Sequence, residues 1–331
     1  AYDTVAVIDE AHLSQQLAET CSQVKRIEAY SRIDSRLRPL QTVKTTATPV
    51  SASQTLIVEG VTEDDLALNP ELRRRLTTPK PVTFVEVGAG TDRISDLVRT
   101  AEELREQTGG TVGVVVNTVH AATEVSRLLK ERETDGEVRT VVGPMRLADR
   151  VRDEEFLAES SGGSQPTKAS YVVGTQALEV GLDISFDAMV TELASGSALA
   201  QRAGRVNRFG QRDSAPITIA IQEEKERDDK NVVGPYTSEE LADALTWLQK
   251  LPPQGLSAWA VAEIKPPKLE PQRLILQRIE YADIENLSVT RDATSAEARY
   301  GNVGPAGVDL WIRDSFDTQR DVMLAVRKGL P

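Results

Sequence analysis

Apolar and polar positions change rhythm several times along the chain, and each change predicts an element. Residues 3–8, DTVAVI, form a short apolar run closed by Asp9 and Glu10, the mark of a buried strand. Leu13, Leu17, Val24 and Ile27 fall near helical spacing, which predicts a helix from Leu13 to Tyr30. Val43–Ala47 reads as a second short strand, stopped by Pro49. A fuller alternation starts near Pro81. Strand-like runs at Val82–Val87, Val112–Val116, Val138–Val142, Ser170–Gly174, Ala188–Glu192 and Pro216–Ile221 punctuate it. Helix candidates at Arg93–Glu106, Ala121–Glu131, Ala148–Glu159 and Ser197–Val206 lie between them. That alternation predicts an α/β fold, a doubly wound and mostly parallel sheet with helices on both faces. Ser238–Leu251 is amphipathic, and prolines at 252–253, 266–267 and 271 break the chain beyond it into irregular pieces.

These rhythms divide the chain at about 80 and 222. Residues 1–80 open directly on what should be a central parallel strand, which needs neighbours on both sides. They are expected to be the C-terminal part of a first α/β domain whose remainder lies elsewhere. Residues 81–222 form the second domain. The run EEKERDDK at 223–230 is a solvated junction, and 223–331 make a smaller accessory region.

Composition narrows the class. The chain has 331 residues, 40% apolar, with a net charge of -12 and no basic tail, which argues against a protein that coats duplex nucleic acid. A local positive groove in an acidic whole stays open. One cysteine excludes an intrachain disulfide framework and fits a cytoplasmic setting. The opening twelve residues have no basic region of a signal peptide, and no apolar run approaches the ~18 residues of a membrane span. Two histidines exclude a His-rich metal cluster.

Candidate chemistry gathers at strand ends, where open α/β sheets bind ligands. Asp9 and Glu10 cannot face the same way. One can point to a hydrated Mg²⁺ while the other polarises water toward a γ-phosphate, or both can be a charged surface turn. His12 either caps the following helix or couples the acidic strand end to TTATP at 45–49. There Thr46 and Thr48, with Thr45, can relay a nucleotide-dependent shift. Asn117 and Thr118 follow a strand at a helix start, as a cap or as a phosphate contact. Gly174 and Thr175 end another strand, with an amide and a hydroxyl suited to a nucleic-acid phosphate. Gly181 and Asp183 follow, Asp183 placed to bond a ribose hydroxyl or an arginine, while Glu179 is ambiguous. In GSALAQRAGRVNRFG, 196–210, Gln201, Arg205 and Arg208 are expected to share one helical face, with Arg202 turned from them by about 100°. Residues 193–212 contain no acid, so the arginines call for an anionic partner, and an ATP phosphate with Arg205 and Arg208 as fingers fits.

DEAH at 9–12, TTATP at 45–49, VNTVHAA at 116–122, VVGTQALEVGLDISFD at 172–187 and QRAGRVNRFG at 201–210 resemble the ordered motifs of superfamily 2 helicases. More narrowly, they resemble the helicase part of the CRISPR-associated helicase–nuclease of type I interference systems. The resemblance spans residues 1–222 and implies RecA-like domains. It implies an ATP- and Mg²⁺-dependent motor moving 3′-to-5′ on single-stranded DNA. It also implies recruitment to an RNA-guided surveillance complex and a separate HD nuclease domain. Asp9 would hold Mg²⁺ through water, Glu10 would activate the attacking water, and Gln201, Arg205 and Arg208 would meet the γ-phosphate. Thr175 would meet the nucleic-acid backbone and Asp183 the nucleotide or its coupling network. Two departures stand out. No GxxxxGK followed by Ser or Thr occurs, so the phosphate loop is expected in a missing N-terminal helicase portion, and this stretch alone is expected to be inactive. No His is followed by Asp, so the nuclease pattern is absent from these residues. The alternatives are another superfamily 2 helicase, on RNA or DNA, or a nucleic-acid-binding remnant that does not hydrolyse ATP.

Overall fold

The computed structural model describes residues 4–9, 11, 15–30, 40–45, 61–132, 137–143, 169–179, 184–222 and 235–267. The chain separates into two compact units, residues 1–49 with 270–331, and residues 50–269.

In the first unit, β1 (Val5–Ile8) precedes helix α1 (Gln15–Tyr30) and pairs in parallel with β2 (Gln41–Lys44). β2 starts two residues before the expected Val43. β1 offers only four residues to pair, and the Thr45 amide then donates to the Ile8 carbonyl at 3.0 Å, ending the ladder. Ile8, Ala11, Ala18, Cys21 and Leu40 make a small buried cluster.

The second unit opens with two short helices that the apolar rhythm did not reveal, α2 (Glu63–Leu68) and α3 (Pro70–Thr77). Their signals are local. Thr62 and Asp65 form a reciprocal capping box, and the Asn69 side chain accepts from the Leu72 amide just ahead of Pro70 at the first turn. Six strands follow: β3 (Val82–Val87), β4 (Val112–Val115), β5 (Glu137–Val141), β6 (Ala169–Gly174), β7 (Ala188–Glu192) and β8 (Ile217–Gln222). They make one sheet in the order β3-β8-β7-β4-β6-β5, with every pairing parallel. This is the expected doubly wound architecture.

Both faces of the sheet are covered, which is why its strands read as apolar runs. Helices α4 (Gly90–Thr108) and α5 (Val119–Arg132) bring Leu97, Val98, Ala101, Val125 and Leu129 against one face. Helix α6 (Gly196–Ala203) and helix α7 (Ser238–Leu248) bring Leu199, Trp247 and Leu248 against the other. Val112, Val114 and Val115 of β4 are wholly buried, each contributing on the order of 2 kcal/mol. A last short helix, α8 (Ala258–Glu263), forms among the prolines, its N-terminus capped by Ser257. The helix candidate Ala148–Glu159 lies outside the described residues. Among the described residues no helix is long and apolar enough to cross a membrane.

Helix α6 is shorter than its sequence suggests. It stops at Ala203, and residues 204–209 run on as turns. Tertiary pairing ends it: the Phe186 amide donates to the Arg205 carbonyl at 2.8 Å, and the Asn207 amide donates to the Phe186 carbonyl at 2.7 Å. Asn207 closes the turn with a positive φ of 44°. The expected helical face shared by Gln201, Arg205 and Arg208 therefore does not exist as such. Gln201 is on the helix, while Arg205 and Arg208 sit on the turn after it.

Candidate functional site

Because all six strands run the same way, their carboxyl ends share one edge of the sheet. β4 and β7 are neighbours there. The chain leaves β4 toward β5 and leaves β7 toward β8, on opposite sides. Such a switch point opens a crevice, the usual ligand position of an open α/β sheet.

A buried polar cluster occupies that position, with Arg202 at its centre. Only 1% of the Arg202 side chain is exposed, and its Nε donates to the Glu179 carboxylate at 2.8 Å. Its Nη1 donates to Thr191 Oγ1 at 2.7 Å and to the Glu192 carbonyl at 3.1 Å. Its Nη2 donates to Asn117 Oδ1 at 3.2 Å and to the Tyr236 hydroxyl at 3.3 Å. A guanidinium removed from water needs this full set of acceptors. The absence of acid from 193–212 did not leave the arginines without a local partner, since Glu179 arrives from the turn after β6. Burial pushes the Tyr236 phenol up from its ordinary value, opposed by the Arg202 charge beside it.

Asn117 and Glu192 brace the cluster. The Asn117 amide donates to Glu192 Oε2 at 2.6 Å and its side-chain NH₂ to the Leu193 carbonyl at 2.8 Å. Glu192 also faces Arg93 on the first turn of α4, with Nε and Oε1 3.1 Å apart. Asn117 is buried, so its place is inside the framework rather than against a ligand. Thr118 acts as a cap, its Oγ1 accepting from the Ala121 amide at 3.2 Å.

Glu179 links two segments. Its carboxylate holds Arg202, and its backbone carbonyl accepts from Arg205 Nη2 at 2.7 Å and Nε at 3.2 Å. The 174–179 stretch and the 202–205 stretch are thus tied at one residue. Arg205, Arg208 and Gln201 are each partly exposed, and the Arg208 amide donates to Ser185 Oγ at 3.0 Å. Gly174 serves the sheet: a Cβ there would lie 2.3 Å from the Val141 carbonyl oxygen. Thr175 is only 5% exposed and its amide donates to the Val141 carbonyl at 3.3 Å. Of the two groups expected to take a phosphate, the amide is already engaged, which leaves the hydroxyl.

Lys80, a residue the motifs do not mark, is buried and donates from Nζ to the Ala203 carbonyl at 2.7 Å, at the C-terminus of α6. A cation suits that helix end, while burial lowers its pKa to about 8. On the other unit, Asp9 is exposed at the end of β1 and accepts from Thr45 Oγ1 at 2.5 Å. Glu10, His12, Thr46, Thr48, Gly181 and Asp183 lie outside the described residues.

The donor chemistry of the second unit fits ATP in part: two partly exposed guanidinium groups, Arg205 and Arg208, match a polyphosphate. Among the described residues no group of three or more His, Cys, Asp and Glu side chains is placed to hold a metal ion.

A parallel sheet carrying a buried arginine cluster at its switch point, with smaller helices around it, matches a RecA-like core with accessory elements. Residues 108–211 match the family described as the CRISPR-associated nuclease/helicase Cas3, C-terminal. The CRISPR-associated helicase Cas3 of Thermoproteus tenax is 31% identical over 220 residues, 64% of this chain and 33% of that protein. The CRISPR-associated nuclease/helicase Cas3 of Streptococcus thermophilus is 36% identical over 102 residues, 30% of this chain and 11% of that one. The crystal structure of T. fusca Cas3 shares the fold at 17% identity, with a TM-score of 0.52 over 81% of this chain and 34% of that chain. A chain of a CRISPR RNA-guided surveillance complex, pre-nicking, does so at 17% identity and a TM-score of 0.50, over 78% of this chain and 35% of its own. Over these stretches the chain is similar to the Cas3-like CRISPR helicase–nuclease family. The matched stretches span from 11% to 33% of the length of the curated relatives.

Proposed function

We propose that this chain is the motor portion of an ATP-driven translocase that moves 3′-to-5′ on single-stranded DNA in type I CRISPR interference. Its parent protein would supply the phosphate loop and work with a separate HD nuclease domain. The partner would be an RNA-guided surveillance complex, in the cytoplasm. The observation that carries the reading is the double hold of Glu179 on Arg202 and Arg205, which joins the Thr175 segment to the arginine turn.

Each residue then has a task. Arg205 and Arg208 meet the γ-phosphate, where negative charge grows in the transition state. Arg205 exchanges the neutral Glu179 carbonyl for an anionic oxygen, a hydrogen bond in which both partners are charged. That exchange releases the 175–179 turn, where the Thr175 hydroxyl engages a backbone phosphate without reading a base. Asp9 would hold Mg²⁺ through water, Glu10 would orient the attacking water, and Asp183 would couple nucleotide to turn. When bound, ATP supplies the free energy of its terminal phosphoanhydride.

The test is Arg208→Ala in the full-length protein that carries this chain. DNA-stimulated turnover should fall by on the order of 10²-fold, with nucleotide affinity changed much less. Thr175→Ala should instead raise the DNA concentration needed for stimulation, on all sequences alike. Near-normal kcat in the Arg208 variant overturns the assignment.

A further inference from the structure

Helix α3 carries three consecutive arginines, Arg73, Arg74 and Arg75, all exposed. Among the described residues none of the three side chains makes an ion pair or a hydrogen bond. In a chain of net charge -12 that is unusual company. Arg93, Arg99, Arg127, Arg132, Arg202 and Arg212 all lie within 4 Å of a carboxylate. Glu71 stands four residues ahead of Arg75, the favourable order for a helical ion pair, and no such pair forms.

The helix sets their directions. Leu72 and Leu76 are partly covered and mark its inner side, and successive residues turn by about 100°. Arg74 therefore points straight outward, with Arg73 on one flank and Arg75 on the other. A single carboxylate cannot meet this fan, whereas a flexible chain of phosphates can. The Arg75 flank abuts the turn that carries Arg208. A Cβ on Gly210 would lie 3.1 Å from the Arg75 nitrogen and 3.2 Å from Arg74 C, and Gly210 has a φ of 67°. Only glycine lets this turn rest against the backbone of α3.

We infer that Arg74 and Arg75 form a second phosphate-binding surface for a single-stranded nucleic acid. It is separate from the Thr175 segment and indifferent to sequence. It rests on the nucleic-acid reading above and adds a contact surface that the motifs do not mark.

The test uses the 331-residue chain and a fluorescent 20-nucleotide oligo-dT, followed by anisotropy over a salt series. Arg73→Gln/Arg74→Gln/Arg75→Gln keeps helix-forming residues while removing the charge. Loss of two phosphate contacts should lower the salt slope by about 1.4 and weaken binding ~25-fold near 0.1 M salt. A charge-matched control, Arg99→Gln/Arg127→Gln/Arg132→Gln on α4 and α5, should stay within about twofold, because diffuse charge is screened beyond ~10 Å. Equal loss in both triple variants overturns the local surface. So does an unchanged α3 variant when Thr175→Ala still weakens binding, and then the nucleic-acid reading itself survives. Displacement of the oligonucleotide by polyglutamate of equal charge and at equal concentration overturns the choice of a nucleic acid. Failure of the unaltered chain to bind oligo-dT overturns both readings.

Discussion

Removing the Glu179 carboxylate should unfold the second unit at a markedly lower temperature. The side chains of Arg202 and Glu179 are 1% and 9% exposed, so solvent screens their attraction very little. Breaking a buried pair by deleting one partner costs about 3–5 kcal/mol, because the remaining charge is stranded. Arg202 keeps neutral acceptors in Thr191, Glu192, Asn117 and Tyr236, which puts Glu179→Ala at the low end, about 3 kcal/mol. For a unit of this size each kcal/mol moves Tm by about 2–4 °C, so the fall should be roughly 6–12 °C. Differential scanning calorimetry of Glu179→Ala, Arg202→Met and the double variant would measure it. The double variant should recover part of the loss, with a coupling of about 2 kcal/mol, since removing both members strands nothing. A Glu179→Ala Tm within about 2 °C of the unaltered chain would refute the claim that the pair holds the site.

Lys80 should give stability a distinctive alkaline dependence. Its pKa is lowered to about 8 in the folded chain from 10.5, so the unfolded state holds a proton the native state lacks between those values, and stability rises with pH there. Urea melts should show the rise, at most about 1.4 kcal/mol per pH unit, absent from Lys80→Met; parallel curves would argue against it. At Gly255, φ is 61° and a Cβ would sit 2.0 Å from the Lys80 carbonyl, so Gly255→Ala should cost about 2–4 kcal/mol, read as a drop in the urea midpoint.

Much of the sheet was legible because its inner strands, such as β4 and β7, are covered on both faces. Val82–Val87 and Ala188–Glu192 fall where the apolar runs put them, and the others within about a residue. Short elements held by caps were not legible from that rhythm. Thr62, Asp65, Asn69 and Ser257 carried the signals for α2, α3 and α8, and capping chemistry was the clue to follow. The arginine segment failed as a helix because Phe186, 19 residues upstream of Arg205, competes for its backbone. Helical spacing is blind to that. The cluster itself was half visible: Asn117 was picked out, but Glu192, Arg93 and Tyr236 join it only in the folded unit, and Lys80 reaches the nearby Ala203 carbonyl. Glu179, ambiguous in sequence, is the residue on which the site turns.

The strand order has a consequence for how the second unit comes into being. Among the described residues β3 lies at the edge and pairs with β8 alone, Val82 beside Ile217 and Thr83 beside Thr218, 135 residues apart. At about 5–20 residues per second on a ribosome, β3 waits roughly 7 to 27 seconds for its partner. β4 and α5 can collapse sooner, but closure of the sheet waits for nearly the whole unit, a loop-closure cost characteristic of parallel architecture. During that wait the strand keeps Thr83 and Glu86 on positions that remain open to water even after folding, while Phe84 is also about half exposed. Glu86 places a charge near the end of this edge strand, where it discourages another nascent chain from adding to the ladder before β8 arrives.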